Sequence, residues 1–186
     1  MSKKLAVLAS GTGTLLEAML KDGLPVALVL ADRPCRAVDA VGREYDIPCE
    51  LIERTDFGAH FDRHAYTEEV IAALKKYNIG LVAMAGFMTV FDPVIFDTYP
   101  ERILNTHPSL LPNFKGNTSV ADALTACVTE TGCTIHIATA ELDHGPILAQ
   151  AKVPILPGDT VPTLHERIKV VERVLYPEVI RGFLSD

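Results

Sequence analysis

The sequence predicts an α/β fold with a mostly parallel sheet covered by helices on both faces. Three observations carry this. Apolar runs of strand length alternate with stretches of helical periodicity along most of the 186 residues. The strand-like runs are nearly all apolar rather than alternating in polarity, as expected of strands buried on both faces. The first run leads directly into a glycine turn, Ser10-Gly11-Thr12-Gly13-Thr14, which makes the pattern Rossmann-like.

Leu5 to Ala9 is the first predicted strand. After the glycine turn, Leu15, Leu16, Met19 and Leu20 recur at helical spacing. Pro25 to Leu30 is a second strand, ended by Asp32-Arg33-Pro34. A helix over Ala37 to Tyr45 and a short strand over Cys49 to Ile52 follow, and Thr55 to Phe61 reads as loop. Val70, Ile71 and Leu74 place a helix over Tyr66 to Tyr77. Ile79 to Met84 is a buried strand followed by Gly86-Phe87-Met88, and Pro93 to Tyr99 a short helix. Arg102 to Asn105 is a strand, Val120 to Val128 a helix, and Thr134 to Ala138 and Ile147 to Val153 are strands around an acidic loop. Thr163 to Leu184 reads as a long helix interrupted at Pro177. With no repeat, low-complexity segment or linker, residues 1–186 are expected to form a single domain.

Composition narrows the function. Apolar residues make up 48% and charged residues 22%, ordinary for a globular protein, and the net charge of −7 gives no basic surface for nucleic acid. The apolar run after Met1-Ser2-Lys3-Lys4 is too short for a signal-peptide core or a membrane span, so a cytoplasmic protein is expected. Cys35, Cys49, Cys127 and Cys133 have no CxxC spacing and are expected to be reduced, buried thiols. His60 and His64 lack a zinc-protease Glu and a third ligand, so no metal is expected. A monomer or homodimer fits all of this equally well.

The most informative residues lie near the middle. Asn105-Thr106-His107-Pro108-Ser109-Leu110-Leu111-Pro112 places an amide and an imidazole two residues apart, on the same side of an extended chain. Glu141-Leu142-Asp143-His144-Gly145-Pro146 supplies a carboxylate on another Gly/Pro-bounded loop. An amide and an imidazole can stabilise a developing oxyanion and move a proton, and a neighbouring carboxylate favours the charged imidazole. His136, within an apolar strand, is expected in the core or near the site, and His144 near it through Asp143. Lys115 and Lys169 can neutralise an anion. The glycine turn can cradle a phosphate. Asp32 stands where a dinucleotide-binding acid would, but position 16 is Leu16 rather than the third glycine of that fingerprint.

These pieces resemble the folate-dependent formyltransferases, and among them the branch acting on phosphoribosylglycinamide. The matching segments are Ser10-Gly11-Thr12-Gly13, Ala85-Gly86-Phe87-Met88, Asn105 to Pro112 with Gly116, Leu142 to Leu148, and His165-Glu166-Arg167-Ile168 with Glu172, so the likeness runs from about residue 4 to 180. It implies the formyltransferase fold and transfer of a formyl group from 10-formyltetrahydrofolate, a co-substrate, to the amine of 5-phosphoribosylglycinamide in purine synthesis, without metal. It implies catalytic roles for Asn105, His107 and Asp143, and substrate phosphate at Gly13, Thr14 and Leu15, helped by Lys169. Glu172 would contact the ribose. Folate would lie against Arg63, Met88, Thr89, Val90, Phe91, Asn105, Thr139, Ala140, Glu141, Leu142 and Asp143. The chain departs from the family at Thr14-Leu15, usually Ser-Asn; at Thr89, usually Arg; at Lys169, usually Gln; and at Lys115 to Ser119, where Thr118 stands near a missing histidine. The alternatives are a deformylase that passes the formyl group to water, a formyltransferase for another amine, a nucleotide-binding or dehydrogenase module, and a non-catalytic folate binder.

Overall fold

The computed structural model describes residues 3–42, 44–58 and 60–185. Met1 and Ser2, Arg43 within the expected Ala37–Tyr45 helix, and Ala59 within the expected 55–61 loop lie outside them. The chain divides into two compact units, residues 1–104 and 105–186.

The first unit alternates strands and helices: β1 (Leu5–Ala9), α1 (Thr14–Lys21), β2 (Val26–Ala31), a π-helix (Ala37–Gly42), β3 (Cys49–Leu51), α2 (Arg63–Lys76), β4 (Leu81–Met84) and α3 (Val94–Thr98). Its strands run in the order β3-β2-β1-β4, every neighbouring pair parallel. All five residues of β1 are at most 1% exposed, which is why the sequence shows an unbroken apolar run there rather than alternation. Strand β1 has β2 on one side and β4 on the other, so the strand order reverses there. In open α/β sheets ligands bind outside the carboxyl ends of the strands at such a point. The turns that follow both strands are the glycine turn and Ala85-Gly86-Phe87-Met88, and they are tied together: the Met88 N–H donates to Ser10 Oγ at 3.0 Å.

Strand β5 (Ile103–His107) begins in the first unit and carries its last three residues into the second. The second unit continues with α4 (Ser119–Thr125), β6 (Glu130–Ile137), β7 (Ile147–Pro154) and α5 (Val161–Ser185). Strands β6 and β7 are antiparallel, with the acidic loop between them. Helix α5 packs on this hairpin through a core of Val120, Cys133, Val153, Leu164 and Ile168. No helix among the described residues is long and apolar enough to cross a membrane.

Several expectations shift. The final helix is continuous through Pro177 rather than interrupted there. Proline removes one helical hydrogen bond at a cost of about 3 kcal/mol, and Leu164, Ile168, Tyr176, Pro177 and Ile180 bury one face of the helix to offset it. The segment after Ala37 forms a π-helix, whose wider turn periodicity cannot tell from an α-helix. Of the cysteines only Cys133 is buried; its thiol is pushed up to about 11 by burial, while Cys127, in a left-handed turn at φ 52°, is exposed.

Two glycines set the loops. Gly13 caps α1 at φ 77°, and a Cβ there would lie 2.9 Å from Ala37 Cα. At Gly145 any Cβ would overlap the Ile137 carbonyl, so only glycine lets the acidic loop close onto the end of β6. There the Ile137 N–H donates to Pro146 O at 2.9 Å. Gly145→Ala is therefore expected to cost at least about 1–3 kcal/mol of stability, read as a lower urea midpoint at unchanged m-value; an unchanged midpoint would show that the close approach is not needed.

Candidate active site

In the first unit the glycine turn presents a helix start. The first bond of α1 runs from Glu17 N to Gly13 O (2.9 Å), so the amides of Thr14, Leu15 and Leu16 have no intrahelical acceptor and can meet an anion. Arg36, which the sequence reading did not single out, reaches the same turn: Nη1 donates to Thr12 O at 2.9 Å and pairs with Glu17 at 2.6 Å. Asp32 is fully buried and its carboxylate is occupied, accepting from Thr89 Oγ1 at 2.7 Å and from Arg33 Nε at 3.2 Å. It is not presented to a ribose, which removes the structural basis for the dinucleotide alternative. The Thr89 hydroxyl hydrogen is committed to that bond, and the residue is buried. Phe91 is buried and stacked on Phe87 at 5.3 Å, while Met88 and Val90 are exposed. Arg63 is an exposed residue at the start of α2. His64 pairs with Asp92 at 3.3 Å.

In the second unit Asn105, His107 and Asp143 converge. Strand β5 extends two residues further than expected, to His107, so Asn105 and His107 project to one face and Thr106 to the other. His107 and Asp143 are 5% and 6% exposed. His107 Nδ1 lies 3.4 Å from Asp143 Oδ2, and Nε2 lies 2.8 Å from the Phe114 carbonyl. Both ring nitrogens face oxygen acceptors. The same Oδ2 accepts the Gly116 N–H at 2.9 Å, and Oδ1 faces His136 Nε2 at 3.7 Å. Asp143 itself adopts a left-handed conformation at φ 56°, one of the few that an aspartate tolerates.

His136 completes the cluster. Its Nδ1 is 3.0 Å from the Ile137 carbonyl and its Nε2 is 3.2 Å from Asn105 Nδ2. Burial holds its pKa below the ordinary histidine value, with the Ile137 hydrogen bond and Asp143 opposing that shift and His107 adding to it. In the neutral ring Nδ1–H donates to Ile137 O, and the Nε2 lone pair accepts from the Asn105 amide. That contact assigns the amide's orientation and leaves a second Nδ2 hydrogen free. Sequence reasoning placed His136 in the core or near the site but did not pair it with Asn105. The available signal was a titratable residue inside a buried strand, which requires polar partners.

The remaining residues are dispersed within their units. Thr139 is partly exposed and donates to Glu141 O at 3.0 Å; Ala140, Glu141 and Leu142 are exposed, and His144 pairs with Glu141 at 3.2 Å rather than joining the buried cluster. Lys169 pairs with Glu166 at 3.7 Å. Glu172 accepts the Thr106 hydroxyl at 2.6 Å. In the altered loop Thr118 stands at the N-terminal end of α4, makes no side-chain capping bond, and donates its hydroxyl to Asp122 at 2.8 Å. The chemistry this cluster offers is two N–H donors, from His107 and Asn105, in a nearly dry setting. That set suits an oxyanion forming on a carbonyl.

Residues 3–180 match the Formyl transferase family. A phosphoribosylglycinamide formyltransferase of Mycobacterium tuberculosis is 44% identical over 177 residues, covering 92% of this chain and 80% of that protein. One from Bacillus subtilis is 34% identical, covering 98% and 95%. Among solved structures, phosphoribosylglycinamide formyltransferase from Anaplasma phagocytophilum superposes with a TM-score of 0.90 at 33% identity, covering 100% of this chain and 89% of that one. Glycinamide ribonucleotide transformylase 1 from Geobacillus kaustophilus gives 0.88 at 38%, covering 99% and 100%. The fold is thus the α/β fold of these enzymes, and the chain belongs to the formyl transferase family.

Proposed function

We propose that the protein transfers the formyl group of 10-formyltetrahydrofolate to the amine of 5-phosphoribosylglycinamide in purine biosynthesis. The observation that carries this is the buried cluster in which Asp143 holds His107 while His136 holds Asn105. The amine nitrogen attacks the formyl carbon, and the carbonyl π pair moves onto oxygen. Hydrogens on His107 and Asn105 Nδ2 stabilise that oxyanion. The oxygen displaces the Phe114 carbonyl from His107 Nε2, a favourable exchange because an oxyanion is the stronger acceptor. Collapse of the intermediate breaks the bond to the folate N10, which takes up a proton as the amine loses one. The products are formylated amine and tetrahydrofolate.

The other assignments rest on the resemblance and on local chemistry. Gly13, Thr14 and Leu15 hold the substrate phosphate with the free amides of α1, and Lys169 adds positive charge. Glu172 takes the ribose hydroxyls. Arg63, Met88 to Phe91 and Thr139 to Asp143 line the folate. Both units act as one formyltransferase domain, a reading supported by a family match that runs through both. We assign the protein to the cytoplasm, where cysteine thiols stay reduced.

Two outcomes are expected. His107→Ala and Asp143→Asn lower kcat about 10²–10⁴-fold while folate binding, measured by fluorescence titration, stays within a few-fold; a fully active Asp143→Asn would remove the carboxylate from the mechanism. In single-turnover absorbance measurements, tetrahydrofolate release from 10-formyltetrahydrofolate requires phosphoribosylglycinamide. Equal release in its absence would instead identify a deformylase.

A further inference from the structure

The residue between the two catalytic candidates points the other way. Asn105 and His107 share one face of β5, so Thr106 occupies the opposite face. There its Oγ1 donates to Glu172 Oε1 at 2.6 Å, linking the strand to the middle of α5. This is a short hydrogen bond to a carboxylate, in the stronger class of such bonds. Glu172 makes no ion pair within 4.0 Å among the described residues, and its second oxygen, Oε2, has no hydrogen-bond partner among them. The side chain is half-buried. A glutamate has three rotatable bonds, and half-buried without a partner it would sample several directions. Here one oxygen is fixed by the Thr106 hydroxyl, which narrows the directions open to the other.

We infer that Thr106 is a positioning residue, which aims the free oxygen of Glu172 at a vicinal diol on the sugar of the acceptor. This rests on the reading above that Glu172 meets the acceptor's ribose. A carboxylate oxygen pinned in one direction suits neighbouring hydroxyl donors, and pinning it before binding removes an ordering cost that binding would otherwise carry. The effect belongs to acceptor affinity and not to the bond-making step, because the sugar does not change charge during formyl transfer. Loss of the clamp therefore appears in KM for the acceptor and not in kcat.

A second readout follows from the carboxyl's surroundings. Burial pushes the Glu172 carboxyl above its ordinary value, and the Thr106 donation opposes this, as do Lys169 and Arg173 on α5; the Cys133 thiol of β6 also faces it. Removing the hydroxyl leaves burial less opposed. The carboxylate then protonates at a higher pH, and acceptor binding fails earlier on acidification.

The test is steady-state kinetics on Thr106→Val, Thr106→Ser and Glu172→Gln, with thermal unfolding to check each fold and Thr106→Ala in reserve if the valine variant does not fold. Thr106→Val is expected to raise KM for phosphoribosylglycinamide about three- to tenfold, to leave KM for 10-formyltetrahydrofolate unchanged, and to move the acid limb of kcat/KM to higher pH. Thr106→Ser restores all three, and Glu172→Gln raises the acceptor KM at least as far as the valine variant. A wild-type acceptor KM in Thr106→Val beside a defective Glu172→Gln overturns the clamp and leaves Glu172 as a ligand. An unchanged acceptor KM in Glu172→Gln removes the reading of Glu172 itself, and the clamp with it. A serine variant as impaired as the valine variant shows that the hydroxyl is not what matters, and also overturns the proposal.

Discussion

The second unit is organised around one buried carboxylate. Asp143 is nearly inaccessible, and a buried carboxylate left alone would cost several kcal/mol. Two groups prevent that: the Gly116 N–H and the His107 ring. Each comes from a different segment, namely the loop after β5 and β5 itself. Burying this charge calls for both partners, so the electrostatic requirement of Asp143 helps specify the geometry of the buried cluster. Gly145 makes it possible, because a side chain at that position would hold the acidic loop off the end of β6.

Strand β5 serves two purposes through its pleat. Alternate residues send an amide and an imidazole to one side, and the hydroxyl between them is sent to the other, where it meets Glu172. A register slip of one residue would exchange the two sets. In the first unit a comparable economy appears at the reversal of strand order. The turns after β1 and β4 are joined by the Met88 to Ser10 hydrogen bond, and the free amides of α1 stand beside that junction.

Much of this was legible in the sequence, for physical reasons. Fully buried parallel strands announce themselves as apolar runs, and Gly13 marks a strand-to-helix turn. Asn105, His107 and Asp143 stood out because polar residues at strand ends and Gly/Pro-bounded loops seldom combine amide, imidazole and carboxylate by chance. What could not be read was partnership. That Asp32 accepts from Thr89, and that His136 orients Asn105, depends on residues 57 and 31 positions apart in sequence. Nor could local pattern show that α5 runs through Pro177, because tertiary burial overrides the proline penalty there. The early start of β6 at Glu130 was hidden for a related reason: Glu130 and Gly132 are weak strand formers alone, and they are held by pairing with Pro154 and Lys152.

The central claim is that His107 and Asp143 act as one device rather than as two independent contributors. A double-mutant cycle on kcat tests it directly, using His107→Ala, Asp143→Asn and the combined variant under saturating substrates. If the carboxylate works only through the imidazole, the double variant is no slower than the slower single variant. Rate losses that multiply would contradict the account, and would mean that Asp143 contributes to catalysis by a route that does not pass through His107.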